Sequence, residues 1–144
     1  MKEFKSKITI NAPIEKVWEI FSDFENYQKW NPFITSLKGN SIVGEKLEVQ
    51  IVPEGSKPML MKPILLKNEF QNEFRWKGSL GKKGIFDGEH YFKFEKLPNG
   101  STQFIHGEIF TGILVKPILA LVGKGTLGGF NTMNKSLKQI AETN

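Results

Sequence analysis

The chain has 144 residues, 39% of them hydrophobic, which fits one domain, residues 1–144, able to bury a continuous core without disulfides or metals. It contains no cysteine, and that excludes disulfide scaffolds, thiolate zinc sites, iron-sulfur clusters and thiol nucleophiles together. The net charge of +5 comes almost wholly from lysine, with Arg75 the one arginine, so the planar guanidinium forks that favour phosphate and guanine contacts are lacking and no nucleic-acid partner is expected. The lysines are dispersed beside apolar residues, as on a solvated outer sheet face; a specific anionic partner is the alternative.

Phe4, Ser6, Ile8 and Ile10 alternate with Lys5, Lys7 and Thr9, which predicts a half-buried strand over residues 3–11. This opening lacks the unbroken apolar stretch of a secretory leader. Pro13 then opens a short helix carrying Ile14, Val17, Trp18 and Phe21 at helical spacing. A second helical turn over Phe24 to Lys29 ends before Asn31-Pro32, where the residue before proline is driven out of helical geometry.

From Phe33 onward the pattern is strand: Phe33 to Lys38, Lys46 to Val52, Met59 to Phe70, Glu73 to Leu80, Ile85 to Leu97 and Ser101 to Gly112. Asn99-Gly100 between two alternating runs is a strong hairpin signal, because both residues tolerate positive φ. Six consecutive strands with short turns predict an antiparallel meander. The run Ile113 to Val122 is broken by Lys116 and Pro117 and falls short of the ~18–20 apolar residues of a membrane span, so no stable membrane insertion is expected, and a cytoplasmic location is compatible. Beyond Pro117, Phe130, Met133, Leu137 and Ile140 recur on one stripe while Lys135 and Lys138 lie off it. A long amphipathic helix therefore covers an apolar surface, and the concave face of the sheet is the one on offer. Gly123 to Gly128 matches G-x-G-x-x-G, but too little chain follows for the helix and second parallel strand of a dinucleotide site. The small residues are better read as letting the start of the helix, or the loop before it, approach the sheet.

The order strand, two short helices, meander and long helix carries local motifs in sequence: Ile10-x-Ala12-Pro13-x-x-x-Val17-Trp18, Tyr27-x-x-Trp30-Asn31-Pro32, Trp76-x-Gly78, Gly88-x-His90-x-Phe92 and Phe104-x-His106-x-Glu108-x-Phe110-x-Gly112. On these the chain resembles the START-like, or SRPBCC, superfamily, and within it the polyketide cyclase/dehydrase-like branch. The resemblance implies an α+β helix-grip fold: a curved seven-stranded antiparallel sheet wrapped around a long C-terminal helix, with two short helices after the first strand. It also implies a cavity between sheet and helix, whereas a lining rich in phenylalanine is by itself more often plain core than a binding site.

Strand parity places Phe86, Gly88, His90, Phe92 and Phe94 on one face, and Phe74, Trp76, Gly78, Met59, Met61, Pro63 and Leu65 on inward faces of their strands. For residues 102–110 both faces are apolar; the charged positions of the neighbouring strand and the resemblance favour Phe104, His106, Glu108 and Phe110 as inward. The expected ligand-binding lining is Trp30, Met59, Met61, Phe74, Trp76, His90, Phe92, His106, Glu108, Phe110, Phe130 and Met133, with Trp30 at the entrance. His90, His106 and Glu108 are the inward groups with acid-base chemistry and the candidate catalytic residues; mutual structural hydrogen bonding is the other reading. Two histidines on strands without cysteine do not make a metal site. Three functions stay open: binding a hydrophobic small molecule such as a lipid, polyketide-like aromatic or isoprenoid; cyclase/dehydrase-type turnover by His/Glu proton transfer with no organic cofactor; and a protein-interaction module with a filled core. Oligomeric state is open.

Overall fold

Asn99-Gly100 turns the chain as its composition dictates, with Gly100 at φ +86° and Leu97 and Ser101 closing the turn through a 2.9 Å backbone bond. In the computed structural model, which describes residues 1–143, this turn joins the two longest strands, β7 (Asp87–Lys96) and β8 (Thr102–Thr111), paired in register from Asp87–Thr111 to Lys96–Thr102. Before them come β1 (Lys2–Ile10), α1 (Ile14–Ser22), a 3-10 turn (Phe24–Asn26), α2 (Tyr27–Trp30), β2 (Ile34–Lys38), β3 (Glu48–Ile51), β4 (Met59–Met61), β5 (Ile64–Glu69) and β6 (Glu73–Ser79). After them comes α3 (Val115–Glu142). All pairings are antiparallel: β1-β8-β7-β6-β5 form one sheet and β2-β3-β4 another.

The α+β helix-grip architecture is the one the sequence predicts, with one strand divided. The run Met59 to Phe70 breaks at Lys62-Pro63, because proline has no N–H for a continuous ladder. Met59–Met61 stays with β3 and Ile64–Glu69 joins β6. Leu47 N to Pro63 O (2.8 Å) and Leu65 N to Glu45 O (3.0 Å) tie the chain on the two sides of the break, so the eight strands form two linked sheets in place of the single seven-stranded one expected.

Helix α3 begins before Pro117 and runs without interruption through Gly123, Gly125, Gly128 and Gly129. Pro117 is its third residue, where a backbone N–H has no helical partner to lose. Each interior glycine costs about 1 kcal/mol of helix propensity relative to alanine. Packing offsets this: a Cβ on Gly129 would strike the Phe33 ring, and one on Gly125 the carbonyl of Glu54. The glycines thus let α3 lie against Phe33 and against the β3–β4 loop, which is tied on by Glu54 N to Gly125 O at 2.9 Å. The buried stripe Phe130, Met133, Leu137 and Ala141 meets Ile10, Val17, Phe21, Phe92 and Phe104 in one hydrophobic core.

Candidate functional site

His90, Phe92 and Phe94 on β7 and Phe104, His106, Glu108 and Phe110 on β8 are all buried, as expected of the inward face. Register sets Phe92 opposite His106 and His90 opposite Glu108, so the two histidines lie diagonally across the strand pair. Their rings meet through Nε2 atoms 2.7 Å apart. The Nδ1 of His106 contacts Asn134 Oδ1 on α3 at 3.0 Å, Asn134 Nδ2 donates to Ser6 Oγ at 2.8 Å, and Ser6 Oγ donates to the His106 carbonyl at 3.0 Å.

This chain has a fixed direction. The Ser6 hydroxyl is committed to a carbonyl, so it accepts from the Asn134 amide, and Asn134 presents its oxygen to His106. His106 therefore carries its proton on Nδ1 and accepts at Nε2, and His90 donates from Nε2. The aromatic enclosure is tight: Phe130 stacks on His106 at 4.1 Å between ring centres, Phe92 lies 4.6 Å from it, and Trp76 lies 5.1 Å from His90. Burial, with His90 alongside, holds the His106 pKa well below the ordinary histidine value against the opposing Asn134 hydrogen bond.

What remains is His90 Nδ1. It lies 3.4 Å from Glu108 Oε1, within ion-pair range, yet the contact is not aligned as a hydrogen bond, and Nδ1 has no hydrogen-bond partner among the described residues. A buried polar atom left this way costs about 1–3 kcal/mol and calls for an explanation. Glu108 reaches beyond the histidines because Gly88 makes room: a Cβ there would collide with the carboxylate. Gly88 pairs with Gly78 on the next strand, so the inward face has a hollow beside the carboxylate.

The hollow opens into a cavity of about 40 Å³ between sheet and helix. Its lining is apolar apart from Glu108 and Thr126: Phe33, Met59, Met61, Phe86 and Phe110 from the sheet side, Val122 from α3, and Pro53 and Leu80 from flanking loops. That is room for about one water molecule, far from the ~300–1,000 Å³ of a small-molecule pocket. The expectation of a roomy cavity is thus corrected: aromatic side chains fill most of the space between sheet and helix.

Of the expected lining, Met59, Met61, Glu108 and Phe110 border the cavity. Phe74, Trp76, His90, Phe92, His106, Phe130 and Met133 lie packed in the core. Trp30 does not join them: it packs edge-on against Tyr27 and borders a shallow depression with Ser136, Gln139 and Ile140 near the end of α3. The Trp30-Asn31-Pro32 motif instead aims Phe33 inward, Asn31 Oδ1 accepting from the Phe33 and Ile34 amides at 3.0 and 2.8 Å. Phe33, Ser6 and Asn134 were not among the expected site residues. The signal for the last two is a polar side chain at a position where an apolar stripe calls for a hydrophobic one.

Among the described residues no group of three or more His, Cys, Asp or Glu is placed to hold a metal ion, and no helix is long and apolar enough to cross a membrane. The family model described as polyketide cyclase / dehydrase and lipid transport matches residues 1–142. No curated protein matches the sequence. Among solved structures, a hypothetical protein of Helicobacter pylori is similar with a TM-score of 0.76 at 17% identity, over 98% of this chain and 88% of that one. A START superfamily protein of Mycobacterium smegmatis gives 0.70 at 18% identity over 97% of both chains. The di-domain ARO/CYC BexL from the BE-7585A biosynthetic pathway gives 0.71 at 12% identity, over 99% of this chain and 50% of that one. These likenesses concern the fold.

Proposed function

The chain belongs to the polyketide cyclase / dehydrase and lipid transport family, and on that premise we propose that it binds a hydrophobic small molecule between the sheet and α3, in a cytoplasmic setting. The observation that carries the reading is the Glu108 carboxylate, which with Thr126 is the polar part of the cavity lining and lies beside the buried, unpartnered His90 Nδ1. A ligand with a hydroxyl at one end and an apolar body would donate to this pair of acceptors and bury the rest, at roughly 25 cal/mol per Å² of apolar area before binding costs. Binding requires this small cavity to enlarge, and the parts beside it that can give way are Met59 and Met61, whose unbranched side chains repack readily, and the β3–β4 loop bonded to α3 through Glu54 and Gly125.

Native mass spectrometry of the purified chain, joined to titration with the apolar dye anilinonaphthalene sulfonate, tests this. A co-purifying apolar ligand or saturable dye uptake abolished by Phe110→Trp is expected. Failure of both would overturn the reading.

A second reading, cyclase/dehydrase-type turnover, is favoured by the directed chain alone. Because His106 accepts at Nε2 and His90 donates there, His90 Nδ1 and Glu108 are left to exchange one proton with a substrate hydroxyl or acidic carbon. Turnover of an aromatic polyketide mimic that disappears in Glu108→Gln while binding persists would select it.

A further inference from the structure

The outward face of α3 changes character along its length. In its second half it carries Asn131, Lys135 and Lys138; around its first turns it carries Leu114, Pro117, Ala120 and Leu121, with Lys116 and Lys124 between them. Leu121 is 87% exposed, Ile113 just before the helix 80% and Leu114 42%. Large apolar side chains this bare, grouped at the start of α3 and just before it, call for a partner.

The neighbouring segments extend the same surface. Ile113 N bonds to Gly84 O (3.1 Å) and Leu114 N to Ile85 O (2.9 Å), which fixes the β6–β7 loop, with exposed Leu80, Lys82 and Lys83, against the start of α3. On the other side, Met1 and Lys2 share a groove with Ile113, Lys116 and Pro117. The β6–β7 loop and the first turns of α3 carry no acidic side chain: the sequence has none in residues 80–86 or 109–141. Nearby acids are engaged or displaced: Asp87 is buried and accepts from Gly84 N, Glu3 accepts from Tyr91 Oη at 2.6 Å, and Glu54 sits further along the helix over Gly128.

Protruding leucine and isoleucine beside Lys82, Lys83, Lys116 and Lys124, with Glu3 the one exposed acid on these segments, fit a negatively charged interface that accepts isolated apolar side chains. A second copy fits poorly, since a two-fold contact would bring Lys82, Lys83, Lys116 and Lys124 toward their own counterparts. We infer that the end of the molecule formed by the first turns of α3, the β6–β7 loop and the start of β1 docks peripherally on an anionic lipid bilayer. Apolar side chains enter the headgroup boundary and lysines meet the surface charge, without insertion of a helix. This goes beyond ligand binding, and it sets Leu80 and Val122, which line the internal cavity, beside the bilayer face.

The test uses the full chain and vesicles of phosphatidylcholine alone or mixed with phosphatidylserine. Co-sedimentation with the anionic vesicles is expected, weakening as salt shortens the Debye length from ~10 Å at 0.1 M to ~3 Å at 1 M. With each surface lysine worth ~1 kcal/mol against such a membrane, K82E/K83E is expected to lower partitioning at least ~10-fold, and Ile113→Ser with Leu121→Ser likewise. The chain has no cysteine, so Leu121→Cys accepts one environment-sensitive dye; a blue shift on anionic vesicles is expected there and not from Lys135→Cys. Absence of anionic-vesicle binding, binding that the charge reversals leave unchanged, or a concentration-dependent dimer abolished by Leu121→Ser would overturn the inference. Uptake of anilinonaphthalene sulfonate by K82E/K83E reads the internal cavity separately, so the two proposals fail independently.

Discussion

His90 and His106 face one another through Nε2 atoms 2.7 Å apart, on neighbouring strands and beneath a cover of Phe33, Phe92 and Phe130. Two neutral rings can share this contact only if one donates and the other accepts, and the choice is made outside the pair. Ser6, directly opposite His106 on β1, and Asn134 on α3 impose the tautomer. The far end of the helix grip thus decides what His90 presents to Glu108.

Removing the polarising group should therefore cost more than its size suggests. Asn134→Leu leaves the buried His106 Nδ1–H without an acceptor and removes the amide that donates to the Ser6 hydroxyl, and a loss of about 1–3 kcal/mol is expected from urea denaturation. Coupled with His106→Leu, which abolishes one side of the same contact, the two losses should be clearly less than additive. Additive losses would show that Asn134 does not act through His106.

Acid should weaken the fold through His106. Its folded pKa lies below the unfolded value of about 6.5, so between those values the unfolded chain binds more protons. The stability associated with the neutral ring is fully present above pH ~6.5 and is lost as pH falls toward the folded value, at up to about 1.4 kcal/mol per pH unit. Urea unfolding at a series of pH values should show this slope in the native chain and a shallower one in His106→Gln. Equal slopes would remove His106 from the account.

Strand parity was readable where the chain pins its own register. Asn99-Gly100 fixes the β7–β8 hairpin, so a period of two was enough to turn His90 inward, while His106 and Glu108, on a strand apolar on both faces, needed the charged positions of β7 and the family resemblance as well. Where register depends on tertiary contacts it was not: the ladder breaks at Pro63, and α3 runs through four glycines whose local preference opposes a helix. The same limit hid Asn134 and Phe33, because their roles depend on which side of α3 meets the histidines and the cavity. Cavity size depends on how closely the aromatics interlock, and periodicity carries no information about that.

Gly88 separates site geometry from mere core packing. An alanine Cβ there collides with the Glu108 carboxylate, whereas at the paired Gly78 it meets Pro63 and Met61 at 3.3–3.4 Å, a tight but yielding contact. Gly88→Ala is expected to cost about 1–3 kcal/mol and to abolish dye uptake by displacing Glu108. Gly78→Ala should retain both stability and uptake more nearly. Equal behaviour of the two variants in denaturation and dye titration would mean that the hollow at Gly88 has no special role.

Gly129 offers a test in which the sign is decisive. In an exposed helix interior, glycine to alanine gains about 1 kcal/mol. At Gly129 the added Cβ meets the Phe33 ring, itself held by Asn31, and stiff aromatic neighbours on His90, His106 and Phe130 leave that ring little space to retreat. Gly129→Ala should therefore destabilise by about 1–3 kcal/mol despite the better propensity. The compensating change Phe33→Leu, which shortens the opposing side chain, should recover part of that loss in the double variant. A stabilised Gly129→Ala, measured by thermal or urea unfolding, would mean that α3 is free to move off the sheet and that the aromatic cover over the histidine pair is looser than the packing indicates.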